Sequence, residues 1–464
     1  MPPFTVPENV QQDGSVACEK PGSLARGPGA KALTMEERFS LEANRRQPSS
    51  LRSLVAEFAG AKDVVSLAGG LPPPSLFPIA SLSAKLTDGT EVSLSEPARS
   101  QQYNTVLRGF PSLLSWCSEL TARLHRPAGT YETLITNGSS HTLEMVLNLF
   151  LNPGDSFLVE QFHFPLTTEV FAPCRGFQPI AVAMDGEGIL PDALEGTLAG
   201  LWSRGEALPK LLYTIPAGQN PTGASASPER RAALYEIARR YDLLIVEDDP
   251  YHMLRFPDGP DRLPGLSGLL PGYLSLDVDS RVVRVDTFSK CLAPGLRLGW
   301  VTAHPTAIAK LTMNVQAATT GPCSLTQGLV SDMLQAWGPQ GFESFILNLQ
   351  RVYAQRSQVL HDLCTLHLSD YAEWERPAGG MFLWMRLKGV DSALELWGDM
   401  RREGVVAVPG STLSLKNSPP APFLRLSFSQ ASDVEFEQFC LRLRRVLEAR
   451  AGPALERQVD KLQV

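Results

Sequence analysis

The sequence predicts an α/β protein. A large domain holds a mainly parallel, mixed sheet flanked by helices, and a smaller α+β domain is assembled from the N- and C-terminal segments. Three observations carry this expectation. From about residue 85 strand and helix signals alternate, the order that builds βαβ units. Several apolar strands run straight into polar, loop-forming residues, as strands do where an open sheet presents a binding edge. Beyond about residue 335 the alternation stops, and a long helical stretch gives way to the strand around Gly379-Gly380-Met381-Phe382-Leu383-Trp384.

Residues 1–33 are polar and rich in Gly and Pro without an apolar period, so a disordered tail is expected. Residues 34–85 are expected to form an N-terminal arm and part of the small domain. Their first helical patterns fall between Met35 and Glu57 and break at Pro48. Gly69-Gly70-Leu71-Pro72-Pro73-Pro74 excludes regular structure, because Pro removes amide donors and Gly removes restraint. Such a stretch can link domains and can let backbone approach a ligand. Residues 86–334 are expected as the large domain. Its helix over 227–240 has Ser227 as cap, Pro228 in the first turn, and Leu234, Ile237, Ala238 and Tyr241 at i, i+3, i+4 and i+7. Residues 335–464 close the chain with a helix opened by the capping box of Ser432 and Glu435. Its apolar stripe is Phe436, Phe439, Cys440, Leu443 and Leu447. No internal repeat is visible.

Composition narrows the function. The 464 residues, 43% hydrophobic and 20% charged, suit a folded enzyme with a large core. A formal net charge of -7, and no basic run with interleaved aromatics, argue against nucleic acid as a partner. Arg442, Arg444 and Arg445 read as the solvated face of the last helix. The longest apolar stretch, around Leu143 to Leu151, is too short to span a membrane, and the N-terminus lacks a secretory pattern. Seven scattered cysteines without a C-x-x-C read as reduced thiols, so a cytoplasmic location is expected. Cys291 reads as a small filler, and no metal site is expected.

The chemistry concentrates at strand ends. Val282 to Phe288 forms an apolar strand that delivers Ser289-Lys290, and Arg297 follows seven residues on. Alone, such a lysine is most simply a solvated strand end. Two upstream motifs change that reading. Asn220-Pro221-Thr222-Gly223 follows the strand Leu211 to Pro216, and alone would be a turn. Asp248-Asp249-Pro250-Tyr251 ends the run Leu243 to Glu247. An unpaired carboxylate is costly in a core but ordinary at the carboxyl end of a strand, where ligands bind. Three strands thus bring Asn220, then Asp248 with Tyr251, then Lys290 to one edge.

That set suits pyridoxal 5'-phosphate. Lys290 supplies the amine for the aldehyde, Asp248 the carboxylate for a protonated ring nitrogen, and Asn220 and Tyr251 the donors to the ring's phenolate oxygen. Thr136-Asn137-Gly138-Ser139-Ser140 precedes an apolar helix, so free amides and the helix dipole create an anion site there. By itself that pattern is only a cap.

The motifs, taken in order from Ser66-Leu67-Ala68-Gly69-Gly70-Leu71-Pro72 to Phe423-Leu424-Arg425-Leu426-Ser427-Phe428-Ser429, resemble the class I, fold-type I aminotransferases that depend on pyridoxal phosphate. Within them the chain is similar to the kynurenine/2-aminoadipate and fungal aromatic group, over nearly everything after about residue 45. The resemblance implies that Gly138, Ser139 and Ser140 hold the cofactor phosphate, with Thr287, Ser289 and Arg297 opposite. It implies that Tyr103 reaches this phosphate from the partner subunit, hence a homodimer with shared active sites. The ring-stacking aromatic aligns with Phe164, where the family commonly has Tyr; Phe162 and His163 are its competitors for the role. Ser140 and then His141 stand where the family often has an amide.

Gly70 and Asn220 are implied to border the substrate, Arg425 to bind its α-carboxylate, and Arg52 to meet a distal carboxylate or swing away from an aromatic side chain. Arg45 and Arg46 lie near Arg52 and compete for that position. For Arg425 a residue-level argument stands beside the resemblance: a guanidinium in an apolar strand needs an anionic partner, either a core salt bridge or a ligand.

The expected reaction is a ping-pong amino transfer. Its donors are aromatic amino acids, kynurenine or 2-aminoadipate, and 2-oxoglutarate is the expected acceptor. Lys290 must be neutral to act as the base, so desolvation and neighbouring positive charge should lower its pKa. The rival is a C–S or β-lyase, or a cyclopropane-forming synthase, on the same scaffold, which these motifs do not separate. A transcription regulator with an aminotransferase-like domain would need a winged helix ahead of the first motif, and no basic recognition helix is seen there. A purely structural role would have to dismiss Lys290, Asp248, Asn220 and Arg425 together.

Overall fold

The computed structural model describes residues 32–49, 67, 70–103 and 107–462, with side chains to residue 450. The tail to residue 31, Arg52, and Ser66, Ala68 and Gly69 lie outside these. The large sheet has seven strands: β1 Glu132–Thr136, β2 Ser156–Glu160, β3 Gln178–Val182, β4 Leu211–Thr214, β5 Leu244–Asp248, β6 Val282–Thr287 and β7 Gly299–Ala303. Their spatial order is β1-β7-β6-β5-β4-β2-β3, with β7 alone antiparallel to its neighbours. The link from Phe288 to Leu298 is too short for a parallel crossover, so β7 returns antiparallel.

Helices α1 Pro111–His125, α2 Ser139–Phe150, α3 Pro191–Ser203, α4 Pro228–Arg240 and α5 Pro305–Ala318 cover the sheet. Both faces are therefore apolar, and the strands read as continuous hydrophobic runs. Leu211, Tyr213, Leu244, Val246, Val283 and Val285 share one core with Leu143 and Val146 of α2 and Ala307 and Leu311 of α5. Their alternates Leu212, Ile245 and Val282 share another with Leu194 of α3 and Leu234 and Ile237 of α4. Ser227 caps α4 as expected, its Oγ accepting from the Arg230 amide at 3.2 Å.

The long helix α6, Ser324–Leu368, joins the two parts of the molecule. Gly338 leaves helical geometry (φ 60°, ψ -176°) and Pro339 follows it, so the helix breaks there. Before the break Val330 and Leu334 pack with Ile135 and Trp300 of the large sheet. After it Leu360, Cys364 and Leu368 pack on the small one. The small sheet is antiparallel, in the order β8 Ala372–Trp374, β9 Phe382–Leu387, β11 Phe423–Ser427 and β10 Val408–Pro409. Helix α7, Asp433–Leu462, closes it. The capping box forms, with the Ser432 amide donating to Glu435 Oε2 at 2.7 Å and the Glu435 amide to Ser432 Oγ at 3.3 Å. Phe436, Cys440, Leu443 and Leu447 are buried and Phe439 partly so.

At the start of the N-terminal arm, Met35, Phe39 and Ala43 join the core of the large domain. Their apolar positions recur every four residues and face α2, and the Ser40 amide donates to the Leu149 carbonyl at 2.8 Å. Leu33 is tied in as well, its amide donating to Asp242 Oδ2 at 3.2 Å. Among the described residues, no helix is long and apolar enough to cross a membrane.

Candidate active site

Strands β1, β2, β4, β5 and β6 all end at one edge of the sheet, and β7 starts there. Lys290 arrives three residues beyond β6. It is half-buried and has no hydrogen-bond or ion-pair partner among the described residues. Burial, and then the charge of Arg297, lower its pKa from the ordinary lysine value. Both effects favour the neutral amine, the form a base or nucleophile uses.

Asp248 is the last residue of β5, and the pleat puts it on the α2/α5 face with Val246 and Tyr213. The Tyr213 hydroxyl donates to its Oδ2 at 2.9 Å, while its buried Oδ1 has no partner. Burial pushes the carboxyl up to about 7; the Tyr213 bond opposes this, and the charges of Asp249 and Asp286 reinforce it. The next residue takes the other face. Asp249 joins a buried cluster in which Arg284 meets Glu247 at 3.1 Å, Asp249 at 3.2 Å and Asp286 at 2.8 Å, and His252 Nδ1 lies 3.1 Å from Asp249. Burial alone would raise the Asp249 pKa, but His252 and Arg284 outweigh it and hold the carboxyl well below the usual range. Of the two adjacent acids, only Asp248 is left with an open oxygen toward the α2 side.

The start of α2 lies beside the loop after β6. Gly138 caps the helix at φ 90°, and no side chain caps the first turn of Ser139 and Ser140. The φ of 90° favours glycine here, and a Cβ would sit 2.9 Å from Arg297 Nη2, so that side chain would have to shift. Arg297 donates to the Asn137 carbonyl at 3.3 Å and to Ser289 Oγ at 3.5 Å, and the Thr287 hydroxyl donates to Ser289 Oγ at 2.9 Å. Free helix amides, hydroxyls and a guanidinium thus converge as an anion site. Ser140 shares the helix turn, with no contact tying it to Arg297.

Arg425 comes from β11 of the small sheet, opposite Trp384 and Val408. It donates to Asn220 Oδ1 at 2.8 Å and lies 4.4 Å over the Phe382 ring. Tyr251 is edge-on to that ring at 6.0 Å and lies near Asn220. Among the described residues no carboxylate pairs with Arg425, which removes the core salt bridge as its explanation. The geometry also separates the three aromatic candidates. Phe162 packs on Trp384 at 5.1 Å and Phe423 at 5.4 Å. His163 is buried, with Nδ1 donating to the Glu160 carbonyl at 2.9 Å and Nε2 accepting from the Thr168 hydroxyl at 2.8 Å. Phe164 is half-buried against the core that holds Tyr213 and Tyr251.

Other expected residues lie apart. Tyr103 is 60% exposed, in a surface cleft with Pro72, Phe77 and Thr320 to Leu325. Gly70 is exposed with open space around it, and Arg52 is outside the described residues. Cys291 is buried filler, its thiol pushed up to about 12 by burial. Two contributors were missed by sequence reasoning. One is Tyr213, which the period of two in β4 could have assigned to the Asp248 face. The other is Glu160, an acid at the end of Phe157-Leu158-Val159. Glu160 accepts from the Thr214 hydroxyl at 2.7 Å and from Gln219 Nε2 at 2.7 Å, and so pins the loop that carries Asn220. Burial pushes it up to about 7.

Residues 108–443 match the family described as aminotransferase class I and II. The chain belongs to the class I and II aminotransferases. The kynurenine/α-aminoadipate aminotransferase of Bos taurus is 34% identical over 87% of this chain and 96% of its own length. An aromatic amino acid aminotransferase of Schizosaccharomyces pombe is 32% identical, over 81% and 89% respectively. Among solved structures, aminotransferase Aro8 of Candida albicans superposes with a TM-score of 0.82 at 27% identity, covering 91% of this chain and 99% of that one. The α-aminoadipate aminotransferase LysN of Thermus thermophilus, solved with N-(5'-phosphopyridoxyl)-L-leucine, reaches 0.66 at 29% identity, covering 90% and 99%.

The protein is therefore a pyridoxal-phosphate-dependent aminotransferase of fold type I, and it catalyses transamination. Its own residues fit the cofactor. Among the described residues it holds a buried carboxylate oxygen lacking a donor, a lysine without a partner on the same sheet edge, and a helix start with no side-chain cap beside the Arg297 guanidinium.

Proposed function

We propose that this aminotransferase binds pyridoxal 5'-phosphate through Lys290 and Asp248 and moves the amino group of an aromatic, kynurenine or 2-aminoadipate type donor to a 2-oxo acid, with 2-oxoglutarate as acceptor. One observation carries the catalytic part: the open Oδ1 of buried Asp248 stands at the edge where Lys290 arrives unpaired. The donor class rests on the names of the relatives. When bound, the cofactor supplies an aldehyde that links to an amine and a pyridinium that withdraws electrons from the substrate α-carbon.

The chain's residues do the rest. Asp248 Oδ1 would accept from the ring nitrogen and keep it protonated. Asn220 and Tyr251 would meet the ring's oxygen, and Phe164 would offer its face to the ring. Gly138, Ser139, Ser140, Thr287, Ser289 and Arg297 would hold the phosphate. Lys290, whose neutral form is favoured by burial and Arg297, would carry the proton away from the α-carbon and return it to complete the transfer. Arg425 grips the α-carboxylate as a fork, steadied by Asn220 and Phe382. Gly70 and Arg52 border the donor's side chain. Exposed Tyr103 reaches the phosphate of a second copy, giving a homodimer with shared sites. A cytoplasmic location rests on the cysteines, of which the six described are all free. The bovine relative is a mitochondrial enzyme by name.

A panel of amino donors with 2-oxoglutarate tests this reading, scoring glutamate against pyruvate and ammonia. Glutamate from aromatic, kynurenine or 2-aminoadipate donors is expected. Pyruvate with ammonia in the absence of acceptor would instead establish the lyase. Arg425→Ala should lower kcat/KM about 100-fold or more, mainly through KM, because a desolvated charge contact is lost. The near-visible absorbance of the cofactor should be unchanged in that variant.

A further inference from the structure

We infer that Tyr213 is a positioning residue for the ring-nitrogen acid: its hydroxyl fixes the Asp248 carboxylate so that Oδ1 alone faces the cofactor. The inference rests on the reading that Asp248 meets the ring nitrogen, and extends it to a residue that touches neither cofactor nor substrate. Strands β4 and β5 are parallel neighbours, with Tyr213 registered opposite Val246. Tyr213 and Asp248 lie on the same face, so the phenol reaches along the sheet to the acid two residues on. Its ring is wholly buried, and its hydroxyl donates to Oδ2 at 2.9 Å.

Two consequences follow. A carboxylate with one oxygen anchored cannot rotate to present the other, so Oδ1 is held without a protein donor of its own. The donated proton also favours the charged carboxylate, against several opposing groups. Burial pushes Asp248 toward neutrality, and the charges of Asp249 and Asp286, across the sheet, add to that push. Arg284 works with Tyr213 to keep the carboxylate charged. Glu160 and Tyr251 are the remaining titratable groups that sense Asp248. The phenol cannot compete for the charge, because its own pKa is driven far up, first by burial and then by the Asp248 charge. It therefore remains a donor throughout the working pH range. A phenylalanine would pack in the same space and do neither job.

The test is a double-mutant cycle read by cofactor binding rather than turnover. Apoprotein of the wild type, Tyr213→Phe, Asp248→Ala and the double variant is titrated with pyridoxal 5'-phosphate across a pH series. Ring-nitrogen protonation is followed by NMR with ¹⁵N-labelled cofactor. Tyr213→Phe should weaken binding about tenfold, the scale of one lost hydrogen bond to a charged group. It should also move the pH midpoint of cofactor capture upward and reduce protonation of the ring nitrogen. In the Asp248→Ala background the same substitution should cost nothing further. Equal losses in both backgrounds would assign Tyr213 to packing alone and overturn the inference. So would a Tyr213→Phe protein that matches wild type in affinity and nitrogen signal while Asp248→Ala loses both. If Asp248→Ala itself leaves binding and the nitrogen signal unchanged, the underlying reading of Asp248 fails instead.

Discussion

Lys290→Ala is expected to lower kcat by at least about 10⁴-fold, since Lys290 is proposed as both the attachment point and the proton carrier. The fold should survive. Lys290 lies in the loop beyond β6, half-buried and bound to nothing among the described residues, so its truncation removes no packing contact that the sheet depends on. Cofactor affinity should fall only moderately, because the start of α2, Arg297 and Asp248 remain. The near-visible absorbance that requires the lysine should vanish. Absorbance spectra and single-turnover assays on the reconstituted variant check both statements together. A variant with wild-type spectrum and rate would move the chemistry elsewhere.

Asp248→Ala should have the second largest effect. Breaking a buried charge pair is worth about 3–5 kcal/mol, so cofactor affinity should drop about 10²- to 10⁴-fold and the residual holoenzyme should turn over poorly. The pH dependence follows from the carboxyl's shift from 3.8 to about 7 on burial. Its folded-state value is raised, so folding favours the protonated form. Below the unfolded value there is no penalty. As pH rises from about 4 to 7 the apoprotein loses stability, by about 4 kcal/mol in total. A positively charged ring nitrogen against Oδ1 offsets that loss in the holoenzyme. The gap in Tm between holo- and apoprotein should therefore widen over this interval, and Asp248→Ala should flatten it. Glu160, also raised to about 7, acts in both forms and leaves the gap largely unaffected.

The residues legible in sequence share a physical cause. A parallel sheet gathers the carboxyl ends of its strands at one edge, so Asn220, Asp248 and Lys290 could be brought together from strand patterns alone. Arg425 was legible because a guanidinium in an apolar strand demands an explanation, and the fold supplies Asn220 and Phe382 without an acid. Tyr213 was not legible as a polar contributor, since an aromatic in a buried strand reads as core and its hydroxyl's partner belongs to another strand. The choice among Phe162, His163 and Phe164 depended on a loop register that sequence does not fix. Small-sheet rings claim Phe162, and local hydrogen bonds claim His163. Docking of Met35 and Phe39 on the large domain was hidden for a related reason: an amphipathic segment does not say which of two cores it will join. The role proposed for Tyr103 would need a second copy, and no pattern within one chain reports on such a contact.

Borohydride reduction of the holoenzyme followed by peptide mass mapping tests the central claim most directly, because reduction fixes the cofactor to whichever amine holds it. The account predicts one phosphopyridoxyl group per chain, on the peptide containing Lys290. Modification of a different lysine, or none at all in protein that is active and fully loaded with cofactor, would contradict it.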